Sequence, residues 1–190
     1  MPRAALTPAA VIEEAGRMAD SVGFDNLTIS ALAQRLGVKQ PSLYKHIDGA
    51  SGLHRAMSVK AKLELADVMR RSAVGKSGDS ALAAIAMAYR TWASAHPGRY
   101  AATVRAATPG DAADEEAGLE AVTVVTSVLA GFGITGDDAI DVTRAFRSAI
   151  HGFVSLEAAG GFGLSVGVER SFQGLVRGLL RMVSDWSSEQ

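Results

Sequence analysis

Thr28-Ile-Ser-Ala-Leu-Ala-Gln-Arg-Leu-Gly37-Val-Lys-Gln40-Pro-Ser-Leu-Tyr-Lys-His-Ile47 decides how this chain reads. It spells two short helices joined by a tight glycine turn. Thr28 suits an N-cap, because its hydroxyl can accept from a backbone N–H that the first helical turn leaves unpaired. Ile29, Leu32, Ala33 and Leu36 then recur on one face at helical spacing. Gly37 follows the last of them, where a residue at positive φ ends a helix. Val38 and Leu43 are the apolar contacts that lock the second helix on the first. Pro41 fits only a first helical turn, where its missing N–H is not needed. The second helix is therefore predicted over about 40–47, with Lys39, Gln40, Ser42, Tyr44, Lys45 and His46 facing outward. This is a helix-turn-helix pattern, and its second helix suits a DNA major groove.

The side chains have the chemistry for duplex DNA. Glutamine pairs bidentately with adenine, serine reaches several base edges, and a proline ring meets a thymine methyl. Tyrosine, lysine and histidine reach phosphates, which set register and carry little sequence information. A surface hairpin in an all-α protein is the plainer reading of any helix pair with one glycine. Here the cap, the glycine, the apolar spacing and the polar set agree, and that agreement favours DNA.

The pattern Leu27-Thr-x-x-x-Leu-Ala-Gln-Arg-Leu-Gly-Val-x-Gln-Pro-Ser-Leu-Tyr-x-His46 resembles the DNA-binding domain of the tetracycline repressor (TetR) family, over about residues 7–60. Beyond that range the likeness is one of length and helix pattern. The resemblance implies that Gln40, Pro41 and Ser42 face bases, while Thr28, Tyr44, Lys45 and His46 hold phosphates. Ser30 and Lys39 stand at the edge of this set. There are two departures. Ile47 replaces the usual phenylalanine, a change of packing. Ala50 replaces the usual lysine, which removes a phosphate contact and should flatten the salt dependence of binding by about one counterion. The N-terminus of the following helix can still offer backbone N–H groups to that phosphate.

Composition supports an all-α chain. Almost half of its 190 residues are apolar, alternating strand patterns are few, and alanine-rich periodic stretches dominate. The net charge of −1 looks wrong for a DNA binder until it is divided: residues 1–73 carry +3 and residues 74–190 carry −4. There is no cysteine, hence no disulfide framework or thiol chemistry. No signal-like segment opens the chain and no run approaches ~18 apolar residues. The expected location is cytoplasmic, with the nucleoid when DNA-bound.

Nine helices are expected. The first starts at Thr7 and ends at Gly23, burying Ile12, Ala15, Ala19 and Val22 behind the helix-turn-helix. The fourth, about 50–73, carries Leu53, Met57, Ala61, Leu65 and Val68 on one side and is long enough to leave the head for a second domain. The division expected is 1–50 for the DNA-binding domain and 51–190 for a helical effector-binding and dimerisation domain. The fifth helix, about 79–95, buries Leu82, Ile85, Tyr89 and Trp92. His96-Pro97-Gly98 breaks it, and a short sixth runs to about 107. The seventh reaches Phe132 through Leu119, Val122, Val125 and Leu129. The eighth carries Val142, Phe146, Ile150 and Phe153. Glycines between 160 and 167 mark a turn, and the ninth occupies about 167–186.

What the second domain does follows mostly from the resemblance. Members of the family dimerise through their last two long helices, which assigns Phe153 of the eighth helix and Phe172, Leu175, Val176, Leu179 and Val183 of the ninth to a seam between subunits. A dimer also suits two recognition helices about 34–36 Å apart on a near-palindromic operator. A small-molecule effector is implied as well, and Tyr89, Trp92, His96, Arg105, Phe146, Arg147 and His151 are the side chains of suitable type. Each also has a plainer reading, as core, helix cap or solvated charge.

Motifs for other chemistry fail. Gly75-Lys76-Ser77 lacks the earlier P-loop glycine, since Arg70 stands there. The glycines at 160–167 miss the dinucleotide pattern at Val166. His46, His54, His96 and His151 have no ligand spacing, so no metal or cofactor is expected. The expected protein is a DNA-binding regulator and not an enzyme, a homodimeric repressor released by a small molecule. A DNA-binding dimer without an effector is one alternative. A small-molecule-binding protein or enzyme with a degenerate head is the other.

Overall fold

The structure is a computed structural model that describes residues 6–188. Among the described residues every regular element is a helix. They are α1 (Pro8–Val22), α2 (Ile29–Leu36), α3 (Gln40–Leu43), α4 (Gly49–Ala73), α5 (Gly78–Ala95), α6 (Pro97–Thr103), α7 (Ala112–Leu129), α8 (Gly136–Ala158) and α9 (Val168–Ser188). Single 3-10 turns follow α1 and α7. The caps read in the sequence set the boundaries of the head. The Thr7 hydroxyl accepts from the Ala10 N–H at 3.2 Å and the Thr28 hydroxyl from the Ala31 N–H at 3.2 Å. Gly37 adopts φ 64°, and the Val38 N–H returns to the Ala33 carbonyl at 3.0 Å, closing α2.

The chain forms two compact units. The first holds the residues up to Leu63 together with His96–Gly118, and the second holds Glu64–Ala95 with the residues from Leu119 onward. In the first, α1 packs on α2 and α6, and α2 packs on α3. Its core is Val11, Ala15, Ala19, Leu32, Leu43, Leu53 and their neighbours, all nearly without exposure. In the second, α5 packs on α8 and α9, and α8 packs on α9. Leu82, Ile85, Leu129, Ile134, Val142, Ile150, Phe172 and Val183 are fully buried there.

Several expectations are corrected. The recognition helix is one α-helical turn, Gln40–Leu43, after which the His46 N–H makes a tighter, three-residue bond to the Leu43 carbonyl at 2.8 Å, and the Ile47 N–H shares that carbonyl over four residues at 3.1 Å. The chain must then reach Gly49, at φ 67°, to start α4. Val22 is 43% exposed, because it is the last residue of α1, where Asn26 bonds its carbonyl and turns the chain outward. α6 stops at Thr103, whose hydroxyl donates to the Tyr100 carbonyl. Leu119 is 62% exposed, since the buried stripe of α7 runs through Ala117, Val124, Val125 and Leu129.

One feature of the first unit has no signal in local sequence. His96-Pro97-Gly98 is not only a helix break. A methyl placed on Gly98 would lie 2.1 Å from the carbonyl carbon and oxygen of Ala19, so α6 rests on the backbone of α1. Asp20 then receives the Arg99 backbone N–H at 2.9 Å, the Arg99 guanidinium at 3.0 Å and His96 Nδ1 at 3.3 Å.

Candidate nucleic-acid interface

The helix-turn-helix is held from beneath by Leu32, Ala33 and Leu43, all buried, with Ile29, Leu36 and Val38 packed around them. Its polar set is left outside. Thr28, Ser30, Lys39, Gln40, Pro41, Tyr44 and Lys45 are exposed, and Ser42 and His46 are half-buried. Tyr44 is 54% exposed, a large ring with no core role. Pro41 occupies the first turn of α3, as its chemistry requires. Thr28 has a double use. Its oxygen accepts from the Ala31 N–H while its own hydroxyl proton stays available to donate.

The electrostatics of this unit separate two kinds of cation. Arg17 pairs with Glu13 and Glu14, Arg35 with Glu14, Arg55 with Asp111, Lys60 with Glu13, Lys62 with Asp114, and Arg99 with Asp20. Lys39 and Lys45 form no ion pair among the described residues. Arg105, on the exposed loop after α6, likewise forms none, so the two lysines are the unpaired cations that stand beside the recognition helix. Ala50 lies exposed in the first turn of α4, Gly49–Gly52, which itself contains no lysine or arginine.

The other candidate residues divide between the units. Tyr89, Trp92 and Phe146 are buried in the second, and His151 is half-buried on α8 with the Ser155 hydroxyl 3.5 Å from Nε2. Burial, and then the charge of Arg147, lowers the His151 pKa below its ordinary 6.5, so the ring is neutral at pH 7. Arg147 itself is exposed. His96 and Arg105 belong to the first unit, His96 at Asp20 and Arg105 on the exposed loop after α6. Phe172, Val176, Leu179 and Val183 are buried within the chain, while Leu175 and Phe153 are half-buried. Phe153 meets the rings of Phe162 and Phe172 at 4.7 and 5.0 Å. Above the rings of Phe153 and Phe172 lies the Arg90 guanidinium, gripped by Glu157 at 2.6 and 2.8 Å and by Glu169 at 2.6 Å. Arg90 and its two carboxylates tie α5, α8 and the first turn of α9 together, a clamp between distant positions that periodicity does not reveal. Among the described residues no group of His, Asp or Glu side chains has the arrangement of a metal site, and no single helix is long and apolar enough to cross a membrane.

Comparison with known proteins agrees with this geometry. Residues 11–49 match the family described as bacterial regulatory proteins, tetR family, and residues 82–179 match the tetracyclin repressor-like C-terminal domain. An uncharacterized HTH-type transcriptional regulator of Mycobacterium tuberculosis, Rv0681, is 39% identical over 83% of this chain and 72% of its own length. The uncharacterized HTH-type transcriptional regulator YobS of Bacillus subtilis is 33% identical over 85% of this chain and 84% of its own. In fold the chain is similar to a TetR variant from Acinetobacter baumannii AYE solved in complex with minocycline, with TM-score 0.71 and 24% identity over 94% of this chain and 96% of that one. A head with an exposed polar recognition turn, a helical second unit and these relatives lead to one conclusion: the chain belongs to the TetR family of helix-turn-helix transcriptional regulators.

Proposed function

We propose that this regulator is a homodimeric repressor that leaves a near-palindromic operator when a small molecule binds its larger domain. As a member of this family it regulates transcription and is not an enzyme. The observation that carries the reading is the pair of unpaired lysines, Lys39 and Lys45, flanking the exposed Gln40, Pro41 and Tyr44. Gln40, Pro41 and Ser42 read bases. Thr28, Tyr44, Lys45 and His46 hold phosphates, with Ser30 and Lys39 beside them.

Residues 1–50 then act as the DNA-binding domain and 51–190 as the effector and dimerisation domain. On α9, Leu175 and Met182 lie two turns apart on one flank and are half-buried, which supports a seam there. Phe172, Val176, Leu179 and Val183 support that seam from beneath, as the core that holds α9 in place. A small-molecule effector is supported by the minocycline complex of the similar TetR fold. Effector binding moves α4, which is one continuous helix from Gly49 to Ala73, and so alters the separation of the two recognition helices. The shift requires the effector to bind the free and operator-bound states unequally. Action on an operator places the protein in the cytoplasm.

Selection of binding sites from random duplex DNA at near-physiological salt tests the reading. The expected product is a near-palindrome with half-sites one helical turn apart, about 10 base pairs. Enrichment of a lone half-site would refute the dimer, and enrichment of nothing would refute operator recognition.

A further inference from the structure

The connection between α8 and α9 runs through Ala158-Ala-Gly-Gly-Phe-Gly-Leu-Ser-Val-Gly-Val168, without one charged side chain. Both of its ends are fixed. Gly160, at φ 70°, closes α8: its N–H returns to the Glu157 carbonyl at 3.1 Å, and the Gly161 N–H to the Leu156 carbonyl at 2.7 Å. Arg90 holds Glu157 before the turn and Glu169 after it, so one guanidinium closes the neck. Phe162 folds back on Phe153, ring centroids 4.7 Å apart. What this fixed turn displays is apolar. Leu164 is 85% exposed, Val166 57% and Leu156 53%.

The helices on either side offer a second copy little of that kind. Among the described residues of α8, the turn and α9, the exposed large apolar side chains are Ile140 and four between 156 and 166. Phe172, Val176, Leu179 and Val183 are taken up inside the chain, and Leu175 and Met182 add only a half-buried flank. The outward row of α9 is Arg170, Arg177 and Arg181, at i, i+7 and i+11, exposed and without an ion pair among the described residues. That row laid on its own copy would set arginine against arginine, which is costly. A stable dimer buries about 800 Å² on each partner, around an apolar centre. The turn is where these two helices carry exposed apolar surface for such a centre.

We propose that the α8–α9 turn is the apolar anchor of the homodimer, with Leu164 and Val166 of each protomer buried against the other. The proposal rests on the reading of the chain as a dimer, and it adds the surface that holds the dimer together. Two-fold symmetry makes each contact twice. Because the turn is fixed at both ends within the chain, little order is lost when it docks.

The test uses the full chain, which has no cysteine, so a single introduced thiol reports its own position. Sedimentation equilibrium first gives the dissociation constant of the wild-type dimer. Leu164→Asp with Val166→Asp should raise that constant by about a hundredfold or more, since two leucines and two valines lose their burial. Helix content by circular dichroism should match wild type, because both side chains lie outside the core. Leu164→Cys should react with a maleimide several times more slowly above the wild-type dissociation constant than below it. Val74→Cys, at a position 72% exposed after α4, should react alike at both concentrations. If the double variant loses helix, the thiol measurement decides alone. A double variant as dimeric as wild type overturns the anchor and leaves the dimer standing. So does a thiol at 164 equally reactive in dimer and monomer, the result expected if the turn serves a membrane or a different protein. A wild type that stays monomeric throughout the micromolar range overturns the dimer, and the anchor with it.

Discussion

Replacing Lys45 by alanine isolates what the recognition turn contributes through charge. Lys45 is exposed and has no ion pair among the described residues, so its loss should leave stability within about 0.5 kcal/mol of wild type. Its effect falls on DNA. Each phosphate neutralised by a cation contributes about 0.9 to the slope of log K against log salt. A homodimer presents Lys45 twice, so Lys45→Ala should make the slope shallower by about 1.8. Between 50 and 200 mM salt the wild-type affinity should then fall about twelvefold further than that of the variant. A monomer on a half-site would lose about 0.9 of slope, a difference of about 3.5-fold over the same range. Fluorescence anisotropy with a labelled selected site, read at five salt concentrations, gives both slopes. An unchanged slope would refute the assignment of Lys45 to a phosphate, and a change near 0.9 would refute the dimer on DNA.

Two further predictions concern the fold, one in each unit. Lys62 and Asp114 form a buried pair at 2.6 Å, side chains 7% and 6% exposed, and Asp114 also accepts the Thr108 N–H. Lys62→Met should cost about 3–5 kcal/mol by leaving a buried carboxylate without its countercharge, and Lys62→Met with Asp114→Leu should recover most of that loss. Urea denaturation of both variants decides it, and equal losses in the two would show that the pair is not coupled. The Arg90 guanidinium, by donating hydrogen bonds, holds the Glu157 carboxyl below its ordinary 4.5 against the opposing effect of burial. A lowered folded pKa gives stability that is complete above about pH 4.5 and is lost as pH falls through the lowered value. Glu157→Gln should therefore lower stability at pH 7 and flatten the acid limb of the stability profile. An acid limb as steep as wild type in chemical denaturation between about pH 3 and 6 would remove Glu157 from the acid response.

Local chemistry made the head legible. Thr7, Gly23, Thr28 and Gly37 each end or begin a helix by a rule that acts over three or four residues, and each does so in the structure. The buried stripe of α5, Leu82, Ile85, Tyr89 and Trp92, follows from period alone. The reading failed where a boundary depends on what comes next. The recognition helix is shorter than 40–47 because Ile47 must turn inward toward the core and Gly49 must reverse the chain. It was silent where partners are far apart in sequence. Lys62 and Asp114, or Arg90 with Glu157 and Glu169, are ordinary surface letters until the fold brings them together. The same holds for the candidate interface. The residue types over 39–46 are plain in the sequence, but the fact that Lys39 and Lys45 keep their charge unpaired while Arg35 and Lys60 do not is a property of the folded unit.

The seat of α6 on α1 bears on how regulators of this kind can be recombined. A chimera that joins this head to a foreign body at residue 50 looks natural from the sequence, since the helix-turn-helix is complete by then. It would separate Asp20 from Arg99 and His96, and would take Gly98 away from the backbone of Ala19. The graft would leave a carboxylate and an apolar patch of α1 facing whatever the new body supplies there. A transplant that carries two segments, the N-terminal one and the stretch from His96 to Gly118, moves the head as the unit the contacts define. A foreign body accepted without the second segment must offer a glycine or an equally close backbone at the position of Gly98. Sequence searches for interchangeable bodies can use that small residue, two places after the histidine, as their filter.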